Sequence, residues 1–141
     1  MPTLDPNSDL ARRRLTDLRH GLLRLHKALL DSERLSYERE YGRIESRGEF
    51  FQLVIGNAWF AWLHGVSELV AQIDEMLEGE ATANTIDATR LIDRTRQLLK
   101  PSEEGDGFGR RYFDALQRDP EVVLAHAAVK KLLRKSVFHL N

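Results

Sequence analysis

The sequence predicts an all-α fold: an up-and-down antiparallel four-helix bundle with two long N-terminal helices and a short helix before the last. Three observations predict it. Apolar residues recur at spacings of three and four along nearly the whole chain, which is the helical period. No hairpin dipeptide stands between alternating runs, and β-branched residues do not cluster as strands require. Glycine and proline interrupt the pattern at a few points only, and short connections make sequence neighbours antiparallel.

The first helix is expected to start near Ser8 or Asp9, either of which can cap it, and to run toward Tyr41. Leu15, Leu18, Leu22, Leu25 and Leu29 form one stripe, with Leu23, Leu30, Tyr37 and Tyr41 as a second beside it. So wide an apolar arc suits a helix with two neighbours. Gly42 and Gly48 bracket a turn. A second helix is expected over residues 47–78 without interruption, with Phe51, Ile55, Trp59, Trp62, Val66, Leu69, Ile73 and Leu77 facing inward. Each of these helices would span roughly 45 Å at 1.5 Å per residue.

Residues 79–84 read as the next turn, with Asn84 capping a third helix whose seam is Ala88, Leu91, Ile92, Thr95, Leu98 and Leu99. Lys100-Pro101 stops that helix, because the residue before proline avoids the helical region. Residues 101–109, PSEEGDGFG, read as a flexible acidic loop, and a short helix follows over 110–118. Asp119-Pro120-Glu121 then supplies a cap, a proline at the first helical position and an acid in the first turn, the strongest start signal in the chain. The last helix is expected to reach about Phe138, with Val122, His126, Val129, Leu133 and Val137 inward.

The 141 residues fit one domain, with residues 1–8 expected to be disordered. The chain has no cysteine, which excludes a disulfide framework, a thiolate zinc site and a cysteine nucleophile, and fits a reducing compartment. No apolar run resembles a secretory signal or a membrane span, so the expected location is the cytoplasm. The formal charge of −1 argues against nucleic-acid binding by bulk charge. Charge is uneven along the chain, however: residues 48–109 are acidic and both flanks basic, as expected if adjacent helix faces complement each other.

Two long helices facing two shorter ones leave a ring-rich end, around residues 37–60, that needs cover. Phe108, Tyr112 and Phe113 on the short helix are one expected cover; a second copy of the chain is the other. Leu53 and Phe60 lie opposite the main stripe of helix two, and a helix apolar on both sides is sandwiched. A homodimer through Leu53 and Phe60 is therefore expected.

Both tryptophans lie in WFAWLHGVSEL, residues 59–69, and are read as core, because aromatics at helical spacing usually are. His64 and Glu68 in the same stretch form His-x-x-x-Glu, which resembles one element of the haemerythrin-like metal bundles. The second element, His-x-x-x-His, is missing, and so is the ferritin-like Glu-x-x-His. The pair is read as a surface or interface ion pair.

Polar groups inside apolar arcs are more informative. His26, Glu33 and Glu40 recur every seven residues on helix one, and His126 falls on the seam of helix four. Buried charge without a partner is costly, so these groups need one another, a hydroxyl such as that of Tyr37, a ligand or a metal. His26, Glu33, Tyr37 and His126 are the candidate ligand-binding set. His26, Glu33 and His126 are the candidate Zn²⁺ or Fe²⁺ ligands, since bundles place such sites in their cores. The sequence requires no cofactor and assigns no catalytic residue. Gly105, Gly107 and Gly109 lack the preceding strand of a dinucleotide fingerprint, and Ser36 and Ser67 have no base placed to activate them. Arg110 and Arg111 at a helix start are candidates to hold an anion. The expected function is a non-enzymatic interaction or regulatory module acting as a homodimer, with a ligand- or metal-binding bundle as the rival.

Overall fold

The long first helix organises everything packed around it. A computed structural model describes residues 6–79 and 85–135. Among them are six α-helices, one 3₁₀ helix and no strand. The helices are α1 (Pro6–Tyr41), α2 (Arg47–Gly56), α3 (His64–Glu78), α4 (Thr85–Leu98), α5 (Phe108–Arg118) and α6 (Pro120–Leu133). The 3₁₀ helix, Ala58–Leu63, joins α2 to α3. Pro6 to Ser8, expected to be disordered, are helical; the expected Asn84 cap lies outside the described residues, and the last helix, expected to reach about Phe138, ends at Leu133 with its C-cap at Arg134.

α1 packs along α6 on one side and α3 on another, and α4 rests on α1 and α3. The leucine stripe of α1 from Leu15 to Leu29 is buried throughout, as its spacing predicts. It meets Val66, Leu69 and Ile73 of α3, Ala88, Leu91 and Ile92 of α4, and Val122, Ala125 and Val129 of α6 in one core. Gly21 lets α1 and α6 approach closely: a Cβ there would stand 3.0 Å from Leu132 and 3.3 Å from Val129.

Polar ties fix the stacking. Arg19 pairs with Asp74 across α1 and α3, and Arg12 donates to the Leu77 carbonyl near the C-terminus of α3. A cation is favoured there because the last carbonyls carry the negative end of the helix dipole. Arg96 of α4 reaches the Leu133 carbonyl at the end of α6 in the same way. The cap of α6 forms as expected, with the Asp119 carboxylate accepting from Glu121 N–H at 2.9 Å behind Pro120.

The second long helix does not run unbroken. It stops at Gly56, and Asn57 takes an extended backbone (φ −93°, ψ 135°) while its side chain accepts from Trp59 N–H at 2.8 Å. The break and the three-residue period of the 3₁₀ turn shift the register. Phe60 and Leu63 are fully buried, with Phe50, Leu53 and Val54 packed against that core, while Phe51 and Ile55 are exposed. The inward stripe expected from Phe51 and Ile55 is thus reversed over this half. Phe60, expected to face a second copy, lies inside its own core.

Candidate functional site

The polar residues expected to converge in the core are distributed over three places. Glu33, on the inner side of α1, is 4 % exposed. Its Oε1 accepts from Arg118 Nη2 at 2.9 Å, and Arg118 also donates from Nε and Nη2 to the buried Ser32 hydroxyl at 3.0 and 2.9 Å. Arg118 comes from the last turn of α5, where a cation suits the helix terminus. A buried carboxylate is tolerable only with a partner of this kind.

His126 forms a second polar pair elsewhere. The fully buried Tyr112 of α5 donates its hydroxyl to His126 Nδ1 of α6, and the rings meet edge-on with centroids 5.3 Å apart. Burial pushes the Tyr112 phenol up, so it stays the donor. Burial lowers His126 below the ordinary imidazole value, and the positive charge of Lys130 lowers it further. Both effects favour a neutral imidazole accepting the phenolic proton.

His26 is half-buried and faces toward α3. Burial lowers its pKa, with a further lowering from the nearby charge of His64. His64 itself is exposed, and its Nε2–H donates to the Val54 carbonyl at 3.1 Å, tying α2 to the start of α3. It therefore braces the break after α2 rather than pairing with Glu68. Tyr37 belongs to a cluster of rings, with centroids 4.8 Å from Tyr41, 5.9 Å from Trp59 and 5.6 Å from Phe60. Phe108 of α5 stacks edge-on against Trp62 at 5.3 Å, so the short helix supplies part of the expected cover. The buried indole N–H groups of Trp59 and Trp62 have no acceptor among the described residues.

His26, Glu33 and His126 thus have separate surroundings, and among the described residues no three His, Cys, Asp or Glu side chains gather to hold a metal ion. Of the candidate set, Glu33 borders a cavity. This is an open groove of about 310 Å³ between the second half of α1, the 3₁₀ turn and α5, bordered by Trp59, by Arg39, Arg111 and Arg118, and by the acidic Glu33, Glu40 and Asp114. A smaller cavity of about 180 Å³ lies between α1 and the start of α6, bordered by Arg24, Lys27, Asp31 and Glu121.

The loop over residues 101–107 closes on itself. Ser102 N–H donates to the Gly109 carbonyl at 2.9 Å, and Gly105 takes a positive φ of 79°. Arg110 reaches back to the Glu103 carbonyl at 2.7 Å and pairs with Asp114, so its guanidinium is engaged. Arg111 carries no such partner and borders the groove.

Arg118 and Tyr112 were not singled out as polar partners from the sequence. The sequence marks Tyr112 as an aromatic cover. A separate feature stands outside the polar sites: α2 carries Phe50, Phe51, Leu53, Val54 and Ile55 among ten residues, yet none of the ten is fully buried. A scan against protein-family models and searches of curated proteins and of solved structures find no match for this chain.

Proposed function

We propose that this chain is a non-enzymatic protein-interaction module that self-associates through the outer face of α2. In this reading α1, α3, α4 and α6 act as an up-and-down four-helix platform that holds α2 against the ring cluster. One observation carries the proposal: a ten-residue helix apolar on both faces has only one face covered. Phe50, Leu53 and Val54 face the core, while Phe51 and Ile55, one turn apart on the other face, are 61 % and 53 % exposed. Helices apolar all round belong inside a structure.

The occupant is a second copy of the chain. An isologous contact needs a surface complementary to itself. The residues flanking and opening α2 carry Arg43 and Arg47 against Glu45 and Glu49, so two copies meet there with balanced charge. Fully burying a Phe or Ile side chain yields about 1.5–3 kcal/mol, and these two are already half covered. The gross gain for two copies is therefore about 3–6 kcal/mol, against an association cost of at least about 4 kcal/mol. The dimer is weak and concentration-dependent, which suits a regulatory contact.

The dispersal of His26, Glu33 and His126 supports this reading over a core metal or ligand site. Sedimentation across micromolar to millimolar concentrations tests it. The expected result is a monomer–dimer equilibrium that disappears in Phe51→Ser/Ile55→Ser with helicity unchanged. A monomer at every concentration, or a double variant that dimerises as well as the parent, overturns it.

A further inference from the structure

The groove between α1 and α5 holds charges that no other described residue neutralises. Three arginines border it, Arg39, Arg111 and Arg118, together with Glu33, Glu40 and Asp114. Glu33 is taken by Arg118, and Asp114 by Arg110, which stands outside the groove. The guanidinium groups of Arg39 and Arg111 have no hydrogen-bond or ion-pair partner among the described residues. Two free guanidinium groups therefore face one free carboxylate, Glu40. The floor between them is rigid, because the buried Ser32 and Glu33 hold the Arg118 fork by three contacts. That arrangement leaves Arg118 Nη1 as an unused donor edge.

We propose that this groove binds a small phosphate monoester, with Arg39 and Arg111 closing on the phosphate. The chemistry of the groove favours that ligand in three ways. Guanidinium forks match phosphate oxygens two at a time, which an ammonium cannot do. With Glu40 offsetting one of them, the two free guanidinium groups leave the groove a net positive charge that favours an anion over a neutral ligand. The Trp59 ring forms one wall and offers an apolar face to the organic part of the ester, and its indole N–H has no acceptor among the described residues. The volume of about 310 Å³ lies at the lower end of small-molecule sites, so the ligand is small. The proposal is independent of self-association, because the groove lies on α1, the 3₁₀ turn and α5 rather than on the outer face of α2.

Nuclear magnetic resonance of the ¹⁵N-labelled full chain at constant ionic strength tests it. Phenyl phosphate, inorganic phosphate and benzoate are the probes, and the two indole N–H signals, assigned with Trp59→Phe, are the readout. The expected result is a saturable shift of the Trp59 signal with phenyl phosphate, a weaker one with inorganic phosphate and the weakest with benzoate. Arg39→Gln/Arg111→Gln raises Kd at least tenfold, while Lys27→Gln, in the other cavity, leaves it unchanged. Both arginines are exposed, so the double variant keeps the fold, checked by circular dichroism. Absence of a saturable shift, binding equal in the double variant, or benzoate binding as tightly as phenyl phosphate overturns the proposal.

Discussion

Oε1 of Glu33 and Nη2 of Arg118 lie 2.9 Å apart, although 85 positions separate the two residues in the chain. The contact joins the middle of the longest helix to the end of α5, and it carries the Ser32 hydroxyl with it. Removing the arginine alone leaves a buried carboxylate without a counter-charge. Arg118→Leu is expected to cost about 2–4 kcal/mol in urea unfolding, below the upper range for such pairs because the Arg118 side chain is 28 % exposed. Glu33→Leu/Arg118→Leu should recover most of that loss, since replacing both ions removes the orphaned charge. Equal destabilisation in the single and double variants would show that the pair is not what holds α5.

His26 and His126 make stability fall in acid. Both imidazoles are held below the ordinary value of 6.5, chiefly by burial. The unfolded chain therefore takes up protons first as pH drops, and protons favour it. Unfolding free energy should be level above about pH 7.5, decline as pH falls through 6.5, and level again below the folded pKa values. His26→Gln/His126→Gln should flatten that decline in denaturant titrations at several pH values. A decline that survives intact in the double variant would assign it to other groups.

Tyr112→Phe should weaken the chain by about 1 kcal/mol, the ordinary net worth of one hydrogen bond. It should also raise the His126 pKa, because the neutral imidazole loses the donor that favours it. Resonance-monitored titration of His126 checks the sign. An unchanged His126 pKa would mean that the phenol contributes packing alone.

Asn57 caps the 3₁₀ turn, so Asn57→Ala should cost about 1 kcal/mol. Gly56→Ala/Asn57→Ala favours one continuous helix across the junction. That variant should bring Phe51 toward the core side and perturb Phe60, changing tryptophan emission through Trp59 next to it. Emission and melting temperature identical to the parent would show that the break does not depend on these two residues.

Periodicity made the all-helical fold legible, and it located individual core residues wherever a helix was continuous. The α1 leucines and the α4 seam of Ala88, Leu91, Ile92 and Thr95 are buried as their spacing predicts. It failed in residues 50–60, where one period was carried across a break. Gly56-Asn57 was the available signal: a glycine ending one helix beside an asparagine able to cap the next. The six residues Ala58–Leu63, wound as 3₁₀ rather than α, turn the later side chains by about 120° relative to α2, and with the extended Asn57 this changes which face of α2 meets the core. Glu33 and His126 have polar partners, while Glu40, expected inward, is exposed; the identity of the partners was not legible. Arg118 and Tyr112 reach Glu33 and His126 from α5, and the placement of a short helix is set by tertiary packing rather than by its own pattern. Tyr37 was read as a hydroxyl donor, whereas its ring contacts with Tyr41, Trp59 and Phe60 are what place it.

The outward orientation of α2 and its use as a contact surface can be measured together, because the chain contains no cysteine and a single introduced thiol is unique. The measurement is the alkylation rate of Phe51→Cys at nanomolar and at near-millimolar protein. A thiol that reacts like a free one when dilute and slows as the protein is concentrated is the predicted result. A thiol protected even at nanomolar concentration would place residue 51 inside the core, and a rate independent of concentration would leave α2 without a second copy to cover it.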